Sequence, residues 1–360
     1  MAQIDAFLKI MHQRKASDLH MAAGQPPILR VFGELERLDQ EMLAKEQLTG
    51  MLFEIAPEEK AAQFRASGDV DFGYEISGQA RYRVNFFQQL NGVGAVFREI
   101  PGRIQSFEEL GLPPVIGKLA QLPRGLVLIT GPTGSGKSTP LAAIIDVANR
   151  TRRDHIITIE DPIEFVHQSR GCVINHREVG LHTRSFAAAL RSVLREDPDI
   201  ILVGEMRDLE TISLAIEAAS TGHLVLSTLH TAGATKMVDR IIDVFPPGEQ
   251  AQIRASLADS LRAVVSQTLF RRIDRPGRCA AVEVLIATPA VRNLIREMKT
   301  HQIASAIQTG RRYGMQLLDD DIMALFKKRL ISADEAYAKA NQKERFKPLL
   351  KAPPSDFTEV

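Results

Sequence analysis

The run Gly131-Pro132-Thr133-Gly134-Ser135-Gly136-Lys137-Ser138 constrains this chain more than any other feature. It matches G-x-x-x-x-G-K-[ST] and stands in the setting that pattern requires, with a strand before it and a helix after it. The strand is the continuous apolar segment Gly125-Leu126-Val127-Leu128-Ile129-Thr130. Glycines let such a loop turn its backbone N–H groups inward around a β-phosphate, and the helix N-terminus adds a positive dipole end. Lys137 then reaches the β- and γ-phosphates, and the Ser138 hydroxyl ligates Mg²⁺. Gly131, Thr133, Gly134, Ser135, Gly136, Lys137, Ser138 and Thr139 are the expected contacts to ATP. Pro140 falls in the first turn of the following helix. Its missing N–H has no intrahelical partner there, so the helix survives, but its ring predicts a slower or weaker nucleotide site.

Phosphoryl transfer also needs one carboxylate for the hydrated metal and another to orient the attacking water. Asp199-Ile200-Ile201-Leu202-Val203-Gly204-Glu205 puts Glu205 just past a buried strand, where the ligand crevice of such a sheet lies. Ile159-Glu160-Asp161-Pro162-Ile163-Glu164 crowds three acids behind another strand. Glu205 and Glu164 are the expected functional pair, while Glu160 and Asp161 are read equally as functional acids or as solvated loop residues or caps. His223 and His230 bracket a third strand and are read either as core histidines or as sensors of the γ-phosphate. Arg81 and Arg83, two residues apart on one strand, share a face. They are solvated edge charges or arginine fingers supplied across a boundary; Arg195 and Arg207 are weaker candidates for that work.

The chain divides by pattern. Residues 1–98 mix helical spacing (Ala6-Phe7-Leu8, Ile10, Met11) with alternating strands (Asp69 to Tyr74 and Arg81 to Phe86) around Ser77-Gly78, a small α+β domain. Residues 99–115, from Pro101-Gly102 to Pro113-Pro114, form a loop-like linker. Residues 116–288 alternate buried strands with helices, which predicts an α/β domain built on a mostly parallel sheet covered on both faces. Residues 289–360 read as helices, including Leu317 to Leu330, with a frayed tail at Ala352-Pro353-Pro354-Ser355-Asp356. No apolar run approaches the ~20 residues that span a bilayer. The opening Met1-Ala2-Gln3-Ile4-Asp5 lacks the basic flank and apolar stretch of a signal peptide. Cys172 and Cys279 are too few for a disulfide framework or a four-thiolate zinc site. The cytoplasm is the expected compartment.

These segments together resemble the secretion ATPase superfamily. The phosphate loop, Ile157 to Glu164, Asp199 to Asp208, and Gly222 to Thr231 are similar in order to its Walker A, aspartate box, atypical Walker B and histidine box. Within it, the whole chain most resembles the type IV pilus retraction motors, including Ala16-Ser17-Asp18-Leu19-His20 and Ala290-Val291-Arg292-Asn293-Leu294-Ile295-Arg296-Glu297. The resemblance implies a hexamer in which a PAS-like domain packs on a neighbour's RecA-like ATPase domain. It implies Glu164 as general base, Glu205 at the Mg²⁺ site, His230 as phosphate sensor, and Arg81 and Arg83 as fingers in trans. It further implies an inner-membrane platform protein and a second retraction ATPase as partners, and peripheral association with the membrane at the pilus base. Extension and type II secretion motors carry a longer N-terminal region and a four-cysteine zinc element; this chain has neither. Proline at 140 replaces the usual threonine, and Val291 an isoleucine.

The expected function is thus a motor that couples ATP hydrolysis to pilus retraction. An alternative, supported by Pro140 alone, is a nucleotide-gated accessory subunit with little turnover. A nucleic-acid translocase is disfavoured by a net charge of +1 and by the lack of a basic stretch interleaved with aromatics. Arg292, Asn293 and Arg296 fall on one helix flank, either as a plain polar face or as a surface for the platform protein.

Overall fold

The computed structural model describes residues 2–31, 33–77, 79–100 and 102–351. Gly78 of the predicted turn, Pro101 of the linker and the tail from 352 onward lie outside the described residues. The chain forms two compact units: residues 1–103 with Pro162–Val166, and Ile104–Asp161 with His167–Val360.

In the first unit, helix α1 (Asp5–Gln13) precedes strands β1 (Asp18–Ala22), β2 (Ile28–Val31) and β3 (Glu34–Arg37), then α2 (Lys45–Ile55) and α3 (Glu58–Ser67). β4 (Asp69–Ile76), β5 (Ala80–Gln89) and β6 (Gly92–Ile100) complete an antiparallel sheet in the order β3-β2-β1-β6-β5-β4. Alternation sends Val70, Phe72, Tyr82, Val84 and Phe86 to one face, where they join Leu8 and Met11 of α1 and Leu48, Met51 and Leu52 of α2. Phe72 and Phe86 meet edge to face at 5.0 Å, the arrangement aromatic rings prefer. The residues between them, Arg81, Arg83 and Asn85, stand on the opposite face beside β6.

The second unit opens with two short helices, α4 (Phe107–Leu110) and α5 (Pro114–Lys118), where the sequence suggests a loop. Ser106 and Glu109 form a capping box that nucleates α4 despite its proline- and glycine-rich surroundings. The sheet then builds from β7 (Gly125–Thr130), β8 (His155–Glu160), β9 (Val173–Glu178), β10 (Ile200–Val203), β11 (Leu224–Leu229), β12 (Leu261–Arg271) and β13 (Arg278–Ile286). Its order is β13-β12-β7-β11-β10-β8-β9, parallel throughout except for the β12–β13 pair. Every residue of β7, β10 and β11 is buried, as the continuous apolar runs require of a sheet covered on both sides.

One face carries α6 (Ser138–Thr151), packed with α5 against Val127, Ile129, Leu202 and Leu226. The other carries α7 (Phe186–Val193), α8 (Leu209–Thr221), α9 (Ala234–Asp243), α10 (Gln250–Ser260), α11 (Pro289–Arg296) and α12 (Ile303–Thr309), packed against Leu126, Leu128, Val203 and Val225. Finally α13 (Leu318–Lys327) and α14 (Ala333–Lys339) close a separate core around Phe270, Ala281 and Phe346. The architecture is the expected α/β ATPase fold after an α+β unit, with helices at the C-terminal end.

Candidate active site

β7 delivers the chain into the loop 131–137, and α6 carries it away from Ser138. Gly131 has φ 144°, a region open to glycine, and a Cβ there would collide with the Gln267 carbonyl. Gln267, buried on β12, holds the loop from the other side. Its Nε2 donates to the Ser135 carbonyl at 2.7 Å and to the Gly136 carbonyl at 3.0 Å. Lys137 folds back over the loop, with Nζ donating to the Gly131 and Pro132 carbonyls at 3.0 and 3.1 Å. The Ser135 hydroxyl is buried without a hydrogen-bond partner among the described residues. A buried unpartnered hydroxyl is costly unless a ligand oxygen meets it. Ammonium, hydroxyl and helix N-terminus make this loop a fit for the phosphates of a nucleotide.

Pro140 is the third residue of α6, which continues unbroken to Thr151. First-turn N–H groups have no intrahelical acceptor, so the ring costs the helix little at this position.

Glu205 stands two residues past β10. Hydroxyls of β11 set its backbone: Ser227 Oγ donates to the Val203 carbonyl at 2.7 Å and Thr228 Oγ1 to the Gly204 carbonyl at 2.6 Å. The Met206 N–H reaches the Thr228 carbonyl at 3.1 Å, continuing the ladder past the strand. Of the Glu205 carboxylate, Oε1 pairs with Arg207 Nε at 2.6 Å and Oε2 lies 3.2 Å from His230 Nε2. His230 Nδ1 lies 3.4 Å from both Lys137 Nζ and Thr133 Oγ1. Lys137 can only donate, so Nδ1 accepts and the ring proton sits on Nε2, donating to Glu205. A carboxylate, an imidazole and an ammonium thus form one chain across β10, β11 and the phosphate loop. The Ser138 hydroxyl and the Glu205 carboxylate are oxygen donors of the kind Mg²⁺ selects.

The structure therefore joins Thr133, Lys137, Glu205 and His230. It separates His223, which lies before β11 and bonds through Nδ1 to the Ala218 carbonyl at 3.0 Å, closing α8. Six strand residues, roughly 20 Å, divide it from His230, so it is no phosphate sensor. Arg207 serves Glu205 directly, and Arg195 is exposed in the turn after α7. Glu160 ends β8, buried, and Asp161 follows it in a bend. Glu164 belongs to the segment that groups with the first unit, as do Arg81 and Arg83 on β5. In that unit Arg81 lies 3.7 Å from Glu75 and Arg83 3.6 Å from Asp71. Gln267 was not legible in the sequence, since an amide that braces a loop 132 residues away has no local signature. On α11, Arg292 donates to the Ala287 carbonyl at 2.8 Å and Arg296 pairs with Asp259, while Val291 is fully buried.

Comparison with known proteins bears on this geometry. The model of the family described as Type II/IV secretion system protein matches residues 2–352. The chain is 52% identical over 343 residues to the type IV pilus retraction ATPase PilT of Pseudomonas aeruginosa, covering 95% of this chain and 99% of that one. It is also 52% identical to a twitching motility protein of Neisseria gonorrhoeae, over 88% of this chain and 85% of that protein. Among solved structures, that of the pilus retraction motor PilT with bound ADP superposes with a TM-score of 0.87 at 42% identity, covering 96% and 98% of the two chains.

Proposed function

The chain belongs to the Type II/IV secretion system protein family, and on that premise we propose that its ATP hydrolysis drives retraction of a type IV pilus. One observation carries the reading beyond kinship: the hydrogen-bonded chain from Glu205 through His230 to Lys137 converges on the phosphate loop. Lys137, Ser135 and the loop N–H groups bind and orient the β- and γ-phosphates. His230, neutral and tied to Glu205, reads the phosphate through Lys137 and Thr133. Mg²⁺, held by Ser138 and Glu205, neutralises charge on the phosphate oxygens when bound. Glu164 accepts the proton of the attacking water. Arg81 and Arg83 stabilise the developing charge from a neighbouring subunit of a hexamer, so that hydrolysis moves one subunit against the next. Among the described residues no helix is long and apolar enough to cross a membrane. On this reading the ring works from the cytoplasm against an inner-membrane platform protein, alongside a second ATPase of the same family.

Mixing two inactive variants tests the shared site. Arg81→Ala subunits keep an intact phosphate loop and Lys137→Ala subunits keep intact arginines. Mixed rings are expected to regain turnover, because some sites then draw each part from a sound subunit. A mixture as inactive as its components refutes arginines acting in trans. In cells lacking their own retraction ATPase, the unaltered chain is expected to restore twitching.

A further inference from the structure

The stretch between β8 and β9 carries Asp161 and Glu164 and has no regular secondary structure. Its second half is nonetheless held at several points. Asn149, buried near the end of α6, donates from Nδ2 to the Gln168 carbonyl at 2.8 Å and accepts at Oδ1 from the Arg170 N–H at 3.0 Å. Its own carbonyl accepts from the Gly171 N–H at 2.8 Å, an approach that leaves no space for a Cβ on residue 171.

Upstream of these bonds one restraint is His176. It pairs in register with Thr158 across β8 and β9. Its Nδ1 lies 2.8 Å from Thr158 Oγ1, and its Nε2 lies 3.1 Å from the backbone nitrogen of His167. A backbone N–H only donates, so Nε2 accepts and the proton of the neutral ring sits on Nδ1, donating to Thr158. The His167 ring stacks on His176, centroids 6.0 Å apart and planes inclined by 13°. Burial, and then the neighbouring His176, push the His167 pKa down to about 4, so His167 is a neutral neighbour above that pH. Charged groups near the His176 ring include Glu160 of β8, with Oε1 4.0 Å away, and Glu178, two residues along the same face of β9.

We propose that His176 is a positioning residue for ATP hydrolysis: neutral, it pins the backbone at His167, from which the segment bearing Glu164 departs, and protonated, it releases it. The proposal rests on the reading of Glu164 as general base. A proton on Nε2 removes the acceptor for the His167 N–H. The His167 carbonyl already lies 3.3 Å from the same nitrogen, so the protonated ring donates to that carbonyl while the His167 N–H, on the Glu164 side, loses its acceptor.

Glutamine at position 176 offers an amide oxygen to His167 and an NH₂ to Thr158, and it does not titrate. The test compares the wild-type chain with His176→Gln and His176→Ala in ATP turnover across pH 5.5–8.5, and in amide hydrogen exchange of residues 167–170. The Gln variant is expected to match wild-type kcat at pH 8 within about twofold and to lose less of it on acidification. The Ala variant is expected to lose about tenfold in kcat at every pH, with little change in KM. Exchange at 167–170 should quicken in the wild type only at acid pH, in the Ala variant throughout, and in the Gln variant not at all. A Gln variant with the wild-type acid loss and acid-quickened exchange overturns the proposal, as does unchanged exchange in the Ala variant. Glu164→Ala separates the two readings. If it retains turnover, the base assignment fails, while pH-dependent exchange that the Gln variant abolishes still upholds the hold of His176 on the segment.

Discussion

At the scale of single residues, the hydrolysis site is a set of donors whose partners decide what they can do. Lys137, bonded to the Gly131 and Pro132 carbonyls, holds the loop. Gln267 does the same from β12 with two bonds. Removing both should cost about 2 kcal/mol of loop order, at about 1 kcal/mol a bond. Gln267→Ala is therefore expected to weaken ATP binding by about tenfold or more with the fold intact, as read by calorimetric titration. An unchanged Kd would mean that the glycines alone shape the loop. The phosphate loop was legible because its glycines, lysine and serine act within eight consecutive residues. Gln267 and Asn149 were not, because each works on carbonyls and N–H groups that spacing does not reveal. His223 stayed open between two readings for a related reason: spacing marks the two ends of a strand without saying which end lies at the phosphate loop.

Elements show the same division. β7, β8, β10 and β11 declare themselves as buried apolar runs, whereas β9 is an edge strand with polar residues, Val173 to Glu178, and lacks that signal. α6 starts at the phosphate loop with proline at its third position and runs on unbroken, so Pro140→Thr is expected to change ATP affinity and kcat by less than about threefold. A large gain in turnover would bear out a site slowed by its proline. Two acids tie β13 to helices. Glu283 accepts from the Ala234 N–H of α9 at 2.8 Å, and Asp321 of α13 accepts from the Val282 N–H at 2.8 Å. Burial above all raises the pKa of each from its ordinary carboxylate value. A raised folded-state pKa means the native state holds protons that the unfolded chain has lost. Stability therefore falls as pH rises from the ordinary carboxylate range through the raised values, and levels off above them. Glu283→Gln keeps an acceptor and removes the charge, so its loss of unfolding free energy between pH 4.5 and pH 7 should be smaller than that of the wild type. An equal slope in denaturant titrations would show that Glu283 ionises without penalty.

At the scale of the whole molecule, the proposed site residues divide between the two units. The second unit joins Glu205, His230 and Lys137 of the phosphate loop in one hydrogen-bonded chain. Arg81, Arg83 and Glu164 belong to the first unit, and the function proposed for the two arginines depends on assembly. Kinship over nearly the full length with a pilus retraction ATPase gives that assembly its purpose, and the fold supplies the nucleotide chemistry. The most direct measurement is steady-state ATP turnover of the purified protein beside its Lys137→Ala and Glu164→Ala variants. The account predicts Mg²⁺-dependent hydrolysis by the wild type and a fall of at least about a hundredfold in both variants. Turnover that survives either substitution, or a wild-type protein that binds ATP without hydrolysing it, would contradict it.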